Sequence, residues 1–104
     1  MPQAPRFAAQ SCCAPDHLAA GDAEAAFKQF MSQALAPGAL DARQKELITV
    51  ALAVAVQCED CIRIHLAKCR EMGISAQELQ EAANLGIAFG GCKAMMFWGK
   101  EKNR

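Results

Sequence analysis

The sequence predicts an all-α fold: a small helical domain of about five helices around a central apolar helix, associating with further copies of itself as a homo-oligomer. Three observations predict it. Apolar residues recur at three- and four-residue spacing, and no alternating stretch survives as a strand. Capping residues stand where helices should open, and Pro or Gly where they should close. Of 104 residues 53% are hydrophobic but only 6% aromatic, so alanine and aliphatic chains carry the core. A core that small and that poor in large side chains leaves apolar surface to bury against other copies.

Residues 1 to about 20 read as a flexible leader, because Pro2, Pro5 and Pro15 break any helix and no apolar period appears. Residues 21–104 form the helical domain. Its first helix opens at Asp22, an N-cap, and runs through Phe27, Phe30, Met31 and Leu35 until Pro37-Gly38 stops it. Asp41 caps a second helix that continues to about Gln57. Its first turns are polar, and then Ala51 to Val56 is apolar on every face, the pattern of a helix covered on all sides. Val, Ile and Thr would tolerate a strand here, but the length and the alanines favour a helix. The third helix runs from about Glu59 to Met72 and closes at Gly73. Ser75-Ala76-Gln77-Glu78 is a capping box opening a fourth helix that reaches about Phe89. Gly90-Gly91 breaks it, and Cys92 to Lys100 make a short last helix.

Charge excludes some functions. Eleven basic and eleven acidic residues are interspersed, so no basic patch addresses nucleic acid and no acidic tail appears. The apolar run Leu47–Val56 is too short for a bilayer, which needs about 20 residues, so no membrane partner is expected. Residues 1–7 lack the long apolar stretch of a secretory signal. These features place the chain in the cytoplasm, where its six cysteines rest mostly reduced. A C-x-x-C there points to catalysis or metal binding before a static staple.

The chemistry-bearing stretch is Cys58-Glu59-Asp60-Cys61-Ile62-Arg63-Ile64-His65. On a helix Cys61, His65 and Cys69 are spaced by four and share a stripe, with roughly 5–6 Å between successive Cβ atoms. His65 therefore stands beside Cys61, whereas Cys58 lies two turns away at the helix start. This nominates Cys61 as the thiol that His65 deprotonates. The partial positive charge of the helix N-terminus favours a thiolate on Cys58 as well, and Glu59 and Asp60 oppose it. Glu46, on one straight helix, would lie about 18 Å from Cys58. If the chain reverses near Gln57 into an antiparallel pair, Glu46 falls within about a turn of His65 and orients its imidazole.

The pattern Glu46, eleven residues, Cys58-x-x-Cys61-x-x-x-His65 resembles the signature of the alkylhydroperoxidase D-like group within the carboxymuconolactone decarboxylase-like superfamily. The resemblance spans roughly residues 24–100. It implies an all-helical antioxidant domain assembled as trimers or hexamers. It also implies the roles: hydroperoxide oxidises Cys61 to a sulfenic acid, Cys58 resolves it to a disulfide, and Glu46 and His65 relay protons. A dithiol, such as a lipoyl group or a thioredoxin-like protein, then reduces the disulfide. The cycle uses ordinary cysteine chemistry and calls for no cofactor or metal. One departure stands out: the best-known peroxidases of the group have histidine just before the second cysteine, where this chain has Asp60. A carboxylate there is not a cationic partner near neutral pH and makes a thiolate harder to form.

Rival readings are a lyase or isomerase acting on a small carboxylated lactone, which needs no cysteine pair, and a non-enzymatic redox or metal sensor. A zinc site through Cys58, Cys61 and His65 would lack a fourth ligand in view. Cys69 and Cys92 are expected to be buried small apolar residues. Met95-Met96-Phe97-Trp98 is expected in the core or a subunit interface. The vicinal pair Cys12-Cys13 is too closely spaced to bridge itself comfortably and is either incidental, or a second thiol pair for exchange or soft-metal capture. His17 has no evident partner.

Overall fold

The computed structural model describes residues 20–103. Among them the chain forms five helices and no strand: α1 (Ala20–Leu35), α2 (Ala42–Val56), α3 (Glu59–Glu71), α4 (Ala76–Gly90) and α5 (Cys92–Glu101). The predicted all-α class holds. Cys12, Cys13 and His17 lie outside the described residues. The chain divides into two compact units between Ala36 and Pro37.

The first unit contributes α1. Within it the Phe27 and Phe30 ring centroids lie 6.4 Å apart, and Glu24 pairs with Lys28 at 3.9 Å, one turn on. The helix opens at Ala20, two residues before the expected Asp22 cap. Asp22 sits instead in the first turn, where the helix dipole favours a carboxylate as well as a cap position does.

The second unit holds α2 to α5, and its helix starts follow local chemistry. Asp41 accepts from the Gln44 N–H at 2.7 Å, and the Gln44 side chain accepts from the Asp41 N–H at 2.8 Å. Ser75 and Glu78 repeat this box at the start of α4, at 3.1 and 2.9 Å. The bond from the Ser75 backbone, then that from its side chain, holds the Glu78 carboxyl below its ordinary range. Glu78 also accepts from Arg43 at 2.7 Å, tying α4 to α2.

Between α2 and α3 the reversal takes two residues. Gln57 adopts a left-handed conformation (φ 57°), and its N–H reaches the Ala53 and Val54 carbonyls. The Cys58 N–H then bonds to the Ala53 carbonyl at 3.0 Å. These bonds satisfy the Ala53 and Val54 carbonyls near the end of α2 and turn α3 back on it.

α2 is central to this unit and packs on α3, α4 and α5. The core takes Val50 and Val54 from α2, Ile62 and Leu66 from α3, Ala83 from α4 and Ala94 from α5. Contact with α4 is close because Gly86 and Gly90 face the α2 backbone. A Cβ on Gly86 would collide with the Ala51 carbonyl oxygen, and one on Gly90 would meet the Ala55 oxygen at 2.9 Å.

Three expectations change here. The apolar run of α2 is not covered on all sides: Val50, Ala53 and Val54 are buried, but Leu52 is 59% and Val56 70% exposed. Its neighbours leave one stripe open, running through Ile48, Leu52 and Val56. α4 continues through Gly90, and the break falls on Gly91, whose φ of 83° suits glycine. Cys92 is exposed, because it occupies the first position of α5, where the helix opens to solvent. Cys69 is buried as expected. The Met95–Trp98 stretch divides by helix face: both methionines are exposed, Phe97 is half-buried, and Trp98 is buried with its indole N–H donating to Gln80 at 3.0 Å. No helix among the described residues is long and apolar enough to cross a membrane.

Candidate active site

The reversal at Gln57 sets Cys58 at the N-cap of α3, in extended conformation (φ −92°, ψ 104°). Its side chain caps the helix: the Cys61 backbone N–H donates to Cys58 Sγ at 3.2 Å. The three-residue separation that lets a cap side chain reach N3 is the spacing of the C-x-x-C itself. Cys58 and Cys61 are joined by a disulfide, with Cα atoms 5.2 Å apart. Both residues are half-buried, and Cys61 packs against the core.

The antiparallel course of α2 and α3 brings Glu46 to His65. Glu46 Oε1 lies 2.8 Å from His65 Nδ1, and the two side chains are only 9% and 12% exposed. With Glu46 ionised, Nδ1–H is the donor, and the lone pair is left on Nε2. Helical side chains lean toward the N-terminus, so His65 inclines toward Cys61, one turn earlier. The arrangement gives an imidazole of fixed tautomer next to a thiol position, backed by a shielded carboxylate. It can take a proton from Cys61 and hand it to a departing group, with Glu46 balancing the positive charge in between.

One neighbour is absent from the sequence reading. Lys68 Nζ lies 3.9 Å from Glu46 Oε2, the oxygen that His65 does not use. The signal is present in the chain, since Lys68 follows His65 by three and shares its side of the helix. Burying a carboxylate is costly without such partners. Asp60, just before Cys61, forms an ion pair with Arg63 on the exposed side of α3.

Cys69, the third residue of the stripe, belongs to the core. Burial, then the nearby Glu46 charge, pushes its thiol from 9.0 to about 11. Because the folded value lies above the unfolded one, the stability tied to this neutral thiol is fully present below pH 9 and lost as pH rises through about 11. In the reduced native protein at pH 8, Cys69 is expected to resist iodoacetamide until denaturant is added, whereas Cys92 reacts at once. Mass mapping of the alkylated peptides checks this, and rapid native labelling of Cys69 would contradict its placement.

Comparison with known proteins gives a consistent set of relatives. The model of the carboxymuconolactone decarboxylase family matches residues 21–99. An uncharacterized protein of Cupriavidus necator is 36% identical over 78 residues, which cover 75% of this chain and 69% of that protein. Uncharacterized protein 4 in the cox locus of Paracoccus denitrificans is 40% identical over 57 residues, 55% of this chain and 51% of that protein. Among solved structures, a carboxymuconolactone decarboxylase family protein of Thermotoga maritima, described as a candidate for a role in the antioxidative response, superposes with a TM-score of 0.72. It is 30% identical, over 77% of this chain and 82% of its own. A family protein of Legionella pneumophila superposes with a TM-score of 0.71 at 28% identity, over 95% of this chain and 83% of its own.

Proposed function

The chain belongs to the carboxymuconolactone decarboxylase family, and on that premise we propose that it is a thiol-dependent antioxidant oxidoreductase reducing hydroperoxides through a Cys58–Cys61 dithiol–disulfide cycle. The observation that carries the reading is the juxtaposition on one helical hairpin of a disulfide-linked C-x-x-C and a histidine braced by a buried carboxylate. The description of the Thermotoga maritima relative points the same way.

In the cycle His65 takes the Cys61 proton. The Cys61 thiolate attacks the terminal oxygen of the hydroperoxide, an S–O bond forms, and the O–O bond breaks. His65 returns the proton to the departing alkoxide, which leaves as alcohol. The Cys58 sulfur then attacks the Cys61 sulfenic acid, and hydroxide departs as water after protonation. A dithiol of the lipoyl or thioredoxin-like kind restores the pair, in a cytoplasmic setting that keeps such dithiols reduced. The protein works as a homo-trimer or homo-hexamer. The open apolar groove of about 440 Å³ between α2 and α4, bordered by Ile48, Leu52 and Leu85, supports self-association.

The test is steady-state consumption of cumene hydroperoxide by the reduced wild-type protein with dihydrolipoamide in excess. Many turnovers per subunit are expected. One oxidising equivalent taken up without further turnover would replace this reading by a redox sensor. No oxidation at all would move it to the lyase branch of the family.

A further inference from the structure

Resting on the reading above, we infer that Cys58 is the standing thiolate of the reduced pair, so that the reductant attacks Cys61 Sγ and Cys58 is the sulfur that leaves. The two cysteines are served by different groups. Cys61 stands one turn from His65, which can remove a proton and later return it. Cys58 lies seven residues before His65, but its Sγ already receives the Cys61 N–H at 3.2 Å at the open end of a 13-residue helix. A backbone donor and the dipole of that helix favour negative charge on this sulfur without any proton carrier.

Glu59 and Asp60, in the same first turn, oppose a thiolate. Both are exposed, where solvent and salt screen them, and Asp60 is engaged by Arg63. The N–H donor acts at contact distance and is not screened in that way. The Cys58 sulfur therefore carries the charge more readily than its acidic flank indicates.

Such a division fits each sulfur to its step. Peroxide cleavage expels an alkoxide, a poor leaving group that needs a proton, and His65 provides one at Cys61. Disulfide exchange expels a thiolate, and the sulfur better able to hold charge leaves faster. In the reductive step a thiolate of the dithiol attacks Cys61 Sγ, forming a mixed disulfide as the Cys58–Cys61 bond breaks. The electron pair goes to Cys58 Sγ, which accepts the Cys61 N–H. The second thiol of the reductant then attacks its own mixed sulfur. His65 takes the proton of that second thiol as a cyclic disulfide departs, and passes it to Cys61, which leaves as thiolate. In the oxidative half the same Cys58 thiolate is ready to attack the sulfenic acid.

Two measurements on the full chain test this without requiring peroxide turnover. Oxidised wild type is treated with glutathione, quenched early, alkylated with iodoacetamide and mapped by fragmentation mass spectrometry. Glutathione is expected on Cys61 and the alkyl group on Cys58, and the reverse pattern overturns the inference. Reduced wild type and His65→Gln are next labelled with limiting iodoacetamide at pH 7. Cys58 is expected to label at least about fivefold faster than Cys61, as its larger thiolate fraction requires. His65→Gln should slow Cys61 further and leave Cys58 within about twofold, since only Cys61 depends on the imidazole. Equal labelling of the two thiols, or equal slowing of both in the variant, overturns it. Loss of the peroxidase reading would show in the hydroperoxide assay alone, so the two failures are distinguishable.

Discussion

Replacing Cys61 by serine is expected to lower hydroperoxide turnover by roughly a thousandfold or more, because an alcohol at this position forms no sulfenic acid and no disulfide. The supporting groups should give smaller, graded losses. His65→Gln removes the proton carrier and is expected to cost about a hundredfold. Glu46→Gln keeps the length of the side chain, and its amide oxygen still accepts from Nδ1–H at the 2.8 Å position. It removes the negative charge that balances the imidazolium, so its effect should fall below that of His65→Gln. Steady-state rates with cumene hydroperoxide and dihydrolipoamide order the three. Turnover retained by Cys61→Ser would sink the assignment of the nucleophile, and a Glu46→Gln loss exceeding that of His65→Gln would show Glu46 acting directly.

The largest effect on stability is expected at Gly86. Alanine is the better helix former by about 1 kcal/mol, so propensity alone predicts a gain. The Cβ, however, would overlap the Ala51 carbonyl oxygen and stand 3.0 Å from Val54 Cβ, and a backbone oxygen in a central helix does not swing aside. Parting α2 from α4 disturbs the packing of the whole second unit, so Gly86→Ala should lose about 3 kcal/mol or more. At Gly99, in α5, an added methyl would meet nothing within 4 Å, and Gly99→Ala should be neutral or slightly stabilising. Urea unfolding of the two variants gives the comparison. Similar midpoints for both would mean that the α2–α4 contact is looser than its geometry implies.

The parts legible in the sequence are those decided within a few residues. The box at Ser75–Glu78, the cap at Asp41 and the reversal before Cys58 are local hydrogen-bond chemistry, and the structure places them where the residues indicate. The pairing of Glu46 with His65 needs only one further step, the antiparallel turn at Gln57. Features made across elements are hidden. The exposure of Leu52 and Val56 depends on which sides of α2 its neighbours take, and nothing in an all-apolar run marks one side as open. The role of Gly86 is set by an α2 carbonyl thirty-five residues earlier in the chain. Cys92 departs from expectation because cysteine burial is a statistical tendency of the residue type, whereas its exposure follows from a helix opening just after Gly91. The capping of α3 by a cysteine sulfur is not legible because cap rules are framed around oxygen.

Glu46 and His65, the outermost of the four reactive-site residues, are nineteen positions apart, and all four lie on α2, α3 and the turn between them. α4 and α5 pack against this hairpin and supply none of those groups. The proposed chemistry is therefore carried by one contiguous stretch of chain. Changes to the helices around that stretch would alter what reaches the sulfurs while leaving the four groups in place.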